Sequence, residues 1–429
     1  EELNKALEVA PEFSGVRSNL LFNLHYHCTD RRFIFEQHKR WSEYNGCAYE
    51  NRVLSHPNSR DPFRRLRIGY VSPDFCFHPV AFFLEPGLKY RDCGRFEIFC
   101  YSNVHKPDRK TKEIEQLVDH WRDISGLSDP EVIDGIYNDR IDVLVDLAGH
   151  STNNRLSVFA ARPAPVQVSY LGYPDTTGLS AMDYRITDAY ADPPGDADAF
   201  HTETLVRLPS SFLCYELLQE LPEISKPPCT GSGSVTFGCF NNMLKITPDV
   251  IATWADVLHR VPDSTLLLKS HQFRYEEARN RLKQAFHRCG IADWRIKTVG
   301  RTHTFLEHLA LYNQVDIALD PFPYHGTTTT CEALSMGVPV IVLAGRHHVS
   351  RVGVSILLNV ATGGLIAHTR EEYKQKAVDL AKDKEVLVNL RSGLRFMVKE
   401  SPLAAGMQHA RHLEAAYVDM WRKWCESGK

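Results

Sequence analysis

Two blocks of the sequence repeat one pattern, in which apolar runs of strand length alternate with segments of helical spacing. In the first block the runs cover residues 66–71, 96–101, 141–147, 166–171 and 184–187. In the second block they cover residues 235–240, 265–269, 295–299, 316–319 and 338–343. Alternation of this kind favours parallel sheets with helices on both faces. We therefore predict an α/β protein with two open lobes that face a cleft.

The segment between the two blocks has the composition of a linker. Residues 222–234 are rich in Pro, Gly and Ser, the residues that interrupt regular structure. Gly231, Ser232 and Gly233 resemble the start of a dinucleotide-binding fingerprint. They precede a strand instead of following one, so we interpret them as part of the linker.

These boundaries divide the chain into four regions. We place the first lobe at residues 61–226 and the second at residues 235–405. Residues 1–60 have helical spacing of aliphatic side chains and are expected to form helices that precede the first lobe. The last region, residues 406–429, contains an amphipathic segment at 408–424 that predicts a long C-terminal helix.

Composition excludes several classes of partner. The 429 residues are 43% hydrophobic and 24% charged, and the formal net charge is −3. Nucleic-acid-binding proteins usually carry a basic surplus, so we expect no nucleic-acid partner. No apolar run approaches the roughly 20 residues of a membrane-spanning helix, and no signal peptide is present, so we expect no membrane association.

The eleven cysteines are scattered, without a Cys-x-x-Cys pair. Such a distribution favours free thiols in the reducing cytoplasm over disulfides or a zinc site. The sequence begins with Glu1 rather than Met, and we expect it to be part of a longer protein.

A glycine followed by four threonines lies just after the fourth apolar run of the second block. Residues 319–332, LDPFPYHGTTTTCE, read as a strand end, a Pro-rich turn, a glycine and a helix start. The first N–H groups of a helix lack partners and carry about half a positive charge, so a phosphate gains hydrogen bonds and a favourable field there. Threonine is also an ordinary N-cap, but four in a row exceed what one cap needs. We predict a diphosphate site at this turn.

A lysine follows the first apolar run of the same block. Residues 240–248, FNNMLKITP, form a polar loop that contains Lys245 and leads into a helix. Ligands of open α/β sheets bind at the carboxyl ends of strands, so we expect Lys245 to meet the same diphosphate; the alternative is a surface lysine. Glu332 lies about one turn inside the next helix, where it would accept hydrogen bonds from ribose hydroxyls or interact favourably with the helix dipole.

Histidines follow two apolar runs of the first block, at His78 and His150. Histidine titrates near neutrality and suits proton transfer, although a structural hydrogen-bonding role is the alternative. Asp196 and Asp198 have the spacing of a paired-carboxylate metal motif. They lie in a Pro- and Gly-rich loop without a further ligand candidate, so we interpret them as solvated loop residues and predict no metal site.

The chain resembles the O-linked N-acetylglucosamine transferase and SPINDLY family in motifs that occur in the family's order. They are RIGYVSPD at 67–74 with His78, RPAPVQ at 162–167, LGYPDTTG at 171–178, DYRITD at 183–188, FNN at 240–242 with Lys245, and GTTTT at 326–330. The resemblance runs from about residue 65 to residue 424, and residues 1–13 resemble the tail of a tetratricopeptide repeat. It implies two Rossmann-like lobes of the GT-B architecture, metal-independent inverting sugar transfer without a cofactor, and Ser or Thr of proteins as acceptors.

The resemblance also implies roles for individual residues. Lys245 would hold the diphosphate and His308 would lie near the base. His78 would lie at the reacting centre, and it is the first candidate to assist deprotonation of the acceptor. The nucleotide-sugar-binding residues implied in this way are Asn242, His308, Gly326, Thr327, Thr328, Thr329, Thr330, Glu332, His150, Gly172, Tyr173 and Pro174.

Two departures concern the donor sugar. Animal N-acetylglucosaminyl members have His-Thr-Thr-Gly where this chain has four threonines, and a lysine where Phe305 stands. The threonines, together with Asn153 and Asn154, resemble the SPINDLY branch, whose plant members transfer fucose from GDP-fucose. We expect UDP-N-acetylglucosamine as the donor, with GDP-fucose as the alternative; an inactive nucleotide-binding scaffold is a second alternative.

Overall fold

The computed structural model describes residues 14–46, 55–217 and 220–427. The predicted repeat tail at residues 1–13 lies outside these ranges. The chain divides into two compact units, of which the first comprises Glu1–Glu216 with Ala405–Lys429 and the second Leu217–Ala404. Among the described helices, none is both long and apolar enough to cross a membrane.

The described part of the first unit contains a sheet of seven parallel strands. They are β1 (Leu66–Ser72), β2 (Phe96–Ser102), β3 (His120–Asp123), β4 (Val143–Asp146), β5 (Val166–Ser169), β6 (Tyr184–Asp188) and β7 (Thr204–Leu208). Their spatial order is β3-β2-β1-β4-β5-β6-β7, and Ile68 of β1 pairs with Ile98 and with Val143 on either side. The order reverses between β1 and β4, which is the point where open α/β sheets bind ligands.

The sheet of the second unit has six parallel strands over the residues that the structure describes. They are β8 (Thr236–Cys239), β9 (Thr265–Lys269), β10 (Ile296–Val299), β11 (Ile317–Leu319), β12 (Val340–Leu343) and β13 (Ile366–Ala367). The order is β10-β9-β8-β11-β12-β13, and Ala318 of β11 pairs with Gly238 and with Val340. Here the order reverses between β8 and β11, so both units have the strand order of a Rossmann fold.

Helices connect these strands. In chain order, those described are α1 (Ser14–Leu24), α2 (Arg31–Asn45), α3 (Pro79–Lys89), α4 (Arg109–Glu115), α5 (Asp129–Asn138), α6 (Leu156–Ala160), α7 (Cys229–Ser232), α8 (Pro248–Arg260), α9 (Glu276–Arg288), α10 (Phe305–Ala310), α11 (Thr328–Ser335), α12 (Val352–Asn359), α13 (Arg370–Lys382), α14 (Lys384–Lys399) and α15 (Gly406–Glu426). Local sequence sets their starts: Thr247 accepts a hydrogen bond from Val250 N at the start of α8, where Pro248 is the first residue.

The terminal helices belong to the first unit. Leu21 of α1 and Trp41 of α2 are buried in one hydrophobic cluster with residues of the first sheet, and each buried side chain of this size contributes about 1.5–3 kcal/mol. In α15, Tyr417 lies 3.1 Å, hydroxyl to hydroxyl, from Tyr70 of β1. The predicted C-terminal helix is therefore present, and it packs onto the first unit.

The structure contains strands at all ten positions predicted from apolar runs, and three more that the sequence analysis missed, namely β3, β7 and β13. Each of the three lies at the end of a sheet. An edge strand has one neighbour and is partly solvated, so it is short and needs no continuous apolar run. The sequence HWRD of β3, for example, is partly buried or exposed throughout.

The linker interpretation of residues 222–234 is wrong for its second half. This segment includes α7, and Cys229 is fully buried, with its N–H donating to Asp316 Oδ1 at 3.0 Å. Its first half is also attached to the second unit, because Asn313 Nδ2 donates to Glu223 O at 2.9 Å. The boundary between the compact units falls earlier, after Glu216.

Candidate functional site

In the second unit, the loops that follow β8 and β11 meet at the point where strand order reverses. Lys245 Nζ donates a hydrogen bond to His325 O at 2.6 Å and lies 4.1 Å from the centre of the Tyr324 ring. The structure thus brings together the lysine and the glycine turn that the sequence assigned to one diphosphate. Burial lowers the pKa of Lys245 to about 8, and the charge of Asp320 opposes this effect.

Asn241, which the sequence analysis did not single out, connects the two loops. Its Oδ1 accepts hydrogen bonds from Lys245 Nζ at 3.4 Å and from Thr329 Oγ1 at 3.1 Å. Asn242, the neighbour that was singled out, is exposed and accepts hydrogen bonds from Leu244 N at 3.0 Å and Gln272 Nε2 at 2.8 Å. Both residues belong to the FNN motif, and the motif does not indicate which of them faces inward.

Asp320 follows β11 and is 2% exposed. Its Oδ1 accepts hydrogen bonds from Gly326 N at 2.8 Å and from Asn241 Nδ2 at 3.3 Å. Over the described ranges, no group hydrogen-bonds to its Oδ2. Burial raises the pKa of Asp320 to about 7, against the effects of the Gly326 N–H and of Lys245.

Gly326 and the four threonines form the turn into α11. A Cβ at Gly326 would lie 2.5 Å from Thr329 Oγ1 and 2.8 Å from Asp320 Oδ1, so this close approach requires glycine. Thr327 is the N-cap of α11, but its side chain makes no cap hydrogen bond in the described structure. The Thr327 hydroxyl therefore does not serve as a helix cap.

A cavity of about 20 Å³ lies beneath this turn, lined by Asp320, Thr329, Thr330 and apolar side chains that include Ala333. Thr330 Oγ1 is buried and has no hydrogen-bond partner among the described residues. A space of this size admits about one water molecule.

Glu332 lies in α11, 4% exposed, at the end of a chain of hydrogen bonds. Lys269 Nζ donates to His308 Nδ1 at 2.7 Å, so the imidazole hydrogen is on Nε2, which lies 2.9 Å from Glu332 Oε2. Burial lowers the pKa of Lys269, against the charge of Glu332. The rings of Phe240 and Tyr312, 4.3 Å apart, lie next to His308. Both rings are buried, and they hold His308 next to Glu332, the residues that the sequence assigns to the base and the ribose.

Lys269 is a residue that the sequence analysis missed. The available signal was its position, since it is the last residue of the apolar run TLLLK at 265–269 and therefore lies at the carboxyl end of a strand.

In the first unit, His78 is the N-cap of α3, and its side chain is 42% exposed. Its Nδ1 lies 3.4 Å from Val80 N and 3.6 Å from Asp74 Oδ2. Burial lowers the pKa of His78, and the charge of Asp74 opposes this effect. The Val80 N–H donates to Nδ1, which places the ring hydrogen on Nε2; the charge of Asp74, beyond hydrogen-bond distance at 3.6 Å, favours the other tautomer, in which Nε2 can accept a proton.

His150 lies in a different environment, since it is fully buried. Its Nε2 donates to Thr177 O at 2.8 Å, and its Nδ1 lies 3.2 Å from Ser18 Oγ. Burial is the main reason that the pKa of His150 is well below its usual value. Both ring nitrogens are engaged within the first unit, which favours the structural alternative for this histidine.

Tyr173 is 2% exposed and packs against His150, with ring centres 5.1 Å apart. Pro174 beside it is partly buried. Gly172 allows a tight contact, because a Cβ there would lie 1.8 Å from Leu147 O. The turns after β4 and β5 are thus interlocked, and these residues shape the edge of the sheet.

One group of side chains within the described ranges has the composition of a metal site. Ligand atoms of His25, His38 and Asp175 lie within 4.8 Å of one another, and all three residues are buried. The Tyr173 hydroxyl lies 3.1 Å from His25 Nε2 and 2.8 Å from His38 Nε2, so this hydroxyl already hydrogen-bonds to both histidines of the group. Asp196 and Asp198 form ion pairs with Arg31 and Arg207 at 2.7 and 2.8 Å.

A family model described as glycosyl transferase family 41 matches residues 48–229 and 228–413. A SPINDLY protein of Petunia hybrida, described as a probable UDP-N-acetylglucosamine–peptide N-acetylglucosaminyltransferase, is 41% identical over 98% of this chain and 45% of its own length. The SEC protein of Arabidopsis thaliana, described in the same terms, is 32% identical over 85% of this chain and 38% of its own length. The chain thus spans less than half the length of these curated relatives.

A solved structure, that of an O-GlcNAc transferase mutant from Thermobaculum terrenum, superposes on the whole chain with a TM-score of 0.93 at 37% identity. The match covers 81% of that protein.

Proposed function

This chain belongs to glycosyl transferase family 41, and we propose that it transfers a sugar from a nucleotide sugar to Ser or Thr hydroxyls of proteins, with inversion at the anomeric carbon. The predicted resemblance and the GT-B class of fold are confirmed by the family and structural matches. The chain spans 45% of the length of the Petunia relative, so the activity named for that whole protein is a proposal for this chain.

One observation carries the proposal: Lys245 Nζ lies 2.6 Å from His325 O, beside the turn at the N-terminus of α11. In glycosyl transfer the leaving diphosphate gains negative charge in the transition state. An ammonium group, threonine hydroxyls and a helix N-terminus that already surround that position stabilise the charge without reorganising.

Within this proposal the acceptor hydroxyl attacks the anomeric carbon and loses its proton to His78 Nε2. The lowered pKa of His78 favours a neutral imidazole at pH 7, which is the form that accepts a proton. This step requires the ring hydrogen on Nδ1 instead of Nε2, a shift away from the hydrogen bond with Val80 N that the charge of Asp74, 3.6 Å from Nδ1, supports. Substitution Asp74→Asn removes this support and should reduce transfer more than it reduces nucleotide binding.

We propose UDP-N-acetylglucosamine as the donor, because the descriptions of the SPINDLY and SEC relatives name this donor. GDP-fucose is the second candidate, which the four threonines of the SPINDLY-like turn favour. We propose the cytoplasm as the location, since the described cysteines are all free thiols.

The purified chain should be incubated with each labelled donor and a Ser/Thr peptide library. Transfer from one donor identifies it, and hydrolysis without transfer indicates that the acceptor is missing. Binding of UDP or GDP without either reaction would support the inactive scaffold instead.

The reaction is proposed to need no metal ion, and EDTA is therefore expected to leave the transfer rate unchanged. A rate abolished by EDTA and restored by Mn²⁺ or Mg²⁺ would contradict this. Double substitution His25→Ala/His38→Ala would then test the buried group identified above.

A further inference from the structure

Asn241 and Asp320 lie beneath the proposed phosphate site, and the chemistry proposed above gives neither of them a role. Asn241 is 6% exposed and Asp320 is 2% exposed. They follow β8 and β11, the two strands that meet where the strand order reverses. A buried amide and a buried carboxylate at that position are costly unless their hydrogen bonds are made.

The hydrogen bonds of Asn241 connect the groups around the glycine turn. Lys245 and Thr329 donate to its Oδ1 at 3.4 and 3.1 Å, and its Nδ2 donates to Asp320 Oδ1 at 3.3 Å. An ammonium group only donates and an ionised carboxylate only accepts, so these partners determine the orientation of the amide. Asp320 Oδ1 also accepts the N–H of Gly326 at 2.8 Å.

We propose that Asn241 and Asp320 are positioning residues, which hold the groups that face the donor diphosphate in place before the donor binds. The groups held in this way are Lys245, Thr329 and the N–H of Gly326. This inference rests on the proposed function, because only there is the turn assigned to a diphosphate. Its physical basis is that a site with fixed charges and dipoles reorganises little during the reaction.

The charge of Asp320 has a separate effect from its hydrogen bonds. Burial lowers the pKa of Lys245 to about 8, and Asp320 opposes that change. Burial also raises the pKa of Cys239 to about 12, lowers that of His325 to about 3, and raises that of Tyr373. At neutral pH these three groups carry no charge, so Asp320 is the group among them that can balance Lys245, and with a pKa of about 7 it does so increasingly as the pH rises through 7.

Substitution Asp320→Asn separates the charge from the contacts. The amide oxygen can replace Oδ1 and keep both hydrogen bonds, while the amide nitrogen replaces Oδ2, to which no described group bonds. We expect the pKa of Lys245 to fall by about 1 when the neighbouring negative charge is removed. Competitive amine labelling as a function of pH, read by peptide mass spectrometry, measures this pKa without any donor.

Asp316→Asn is the matched control. Asp316 is a buried aspartate at the opposite end of β11, where it accepts hydrogen bonds from Cys229 N and Thr236 N. Its loss should lower stability and leave the pKa of Lys245 unchanged. An unchanged pKa of Lys245 in Asp320→Asn, or an equal fall in Asp316→Asn, would refute the effect of the Asp320 charge on Lys245, whereas the hydrogen bonds are tested at Asn241.

Asn241→Leu removes the connecting amide at similar volume. We expect kcat/KM to fall about 10²-fold, the scale of a small displacement of catalytic groups, and UDP or GDP binding measured by calorimetry to weaken at least tenfold. A folded variant with wild-type values would refute the role of Asn241. If this variant does not fold, Asn241→Ala, which also removes the connecting amide, is measured in the same way.

The labelling result is independent of the proposed function. A wild-type chain that binds neither UDP nor GDP and transfers no sugar would refute the function, whereas the pKa of Lys245 would still show whether Asp320 controls it.

Discussion

In both units a buried aspartate at the end of the fourth strand accepts a hydrogen bond from a glycine N–H, three residues later in the first unit and six residues later in the second. Asp146 at the end of β4 accepts a hydrogen bond from Gly149 N at 2.7 Å, and Asp320 after β11 accepts one from Gly326 N at 2.8 Å. Burial raises the pKa of Asp146 to about 6 and that of Asp320 to about 7. A buried aspartate that holds a glycine turn is thus common to both sheets.

The surroundings of the two aspartates differ. Both oxygens of Asp146 accept backbone hydrogen bonds, from Ala148 N and Gly149 N, and its turn packs against Tyr173. Asp320 uses one oxygen and joins a network that leads to Lys245. A similar aspartate-to-glycine hydrogen bond therefore occurs in a closed, packed turn in the first unit and in a longer, charged turn in the second.

The largest expected effect tests the contribution of the first unit. His78→Ala should lower the single-turnover rate of transfer by about 10²–10⁴, the range for a positioned acid–base group. Its effect on UDP or GDP affinity should be small, because the nucleotide is assigned to the second unit. A folded variant that loses less than tenfold in rate would remove His78 from the mechanism, and weaker donor affinity would indicate sugar binding instead.

The second prediction concerns the charged turn itself. Lys245→Ala should lower turnover by about 10²–10³, the scale of losing one preorganised electrostatic donor. Lys297→Ala, an exposed lysine on β10 of the same unit, is the control and should keep wild-type turnover. Near wild-type activity in folded Lys245→Ala would place the diphosphate elsewhere.

A larger side chain in the closed turn of the first unit should lower the stability of the protein. A Cβ at Gly172 would lie 1.8 Å from Leu147 O, so Gly172→Ala should lower the free energy of unfolding by about 1–3 kcal/mol, as overpacking does. Gly126→Ala is the control, because no atom of the described chain lies within 4 Å of a Cβ placed there. Urea unfolding measures both, and equal stabilities would show that the turn adapts.

Acid should lower the stability of the first unit more than that of the second. Burial is the largest cause of the lowered pKa values of His38, His150 and His409 in the first unit. Below about pH 6.5 the unfolded state binds protons that the folded state does not. Each of these histidines therefore lowers the free energy of unfolding by up to about 1.4 kcal/mol for each pH unit of acidification. The raised pKa of Asp146 opposes this as the pH falls through about 6.

In the second unit the opposing groups are nearly balanced. His325, whose pKa burial lowers to about 3, destabilises the folded state as the pH falls below about 6.5. Asp320, whose pKa is about 7, takes up a proton in the folded state first and stabilises it over the same range. Hydrogen exchange read by mass spectrometry between pH 7 and 5, corrected for intrinsic rates, should show a greater loss of protection in the first unit. Equal losses would contradict this assignment.

The spacing of apolar residues and the positions of residues at strand ends predicted most of the fold and part of the candidate site. The ten apolar runs became strands, and nine of them are internal, where a buried parallel strand needs a continuous apolar sequence. Lys245 and Gly326 meet because both follow strands that end at the same edge of one sheet. Edge strands such as β3 were missed because partial solvation relaxes the requirement for apolar residues.

Other features depended on contacts between residues far apart in the chain. His78 and His150 both follow a strand, yet one is 42% exposed at its side chain and the other is fully buried. The choice between Asn241 and Asn242 likewise rested on partners about 80 residues away, at Asp320 and Thr329. The sequence by itself determined the class of fold, the family and the residue types at the strand ends, since these follow from local period and motif. Tertiary structure decided which side chains are buried, which histidine nitrogen carries a hydrogen and which carboxyl group has a pKa near neutrality. The reason is that burial and hydrogen-bond partners come from segments that are distant in the sequence.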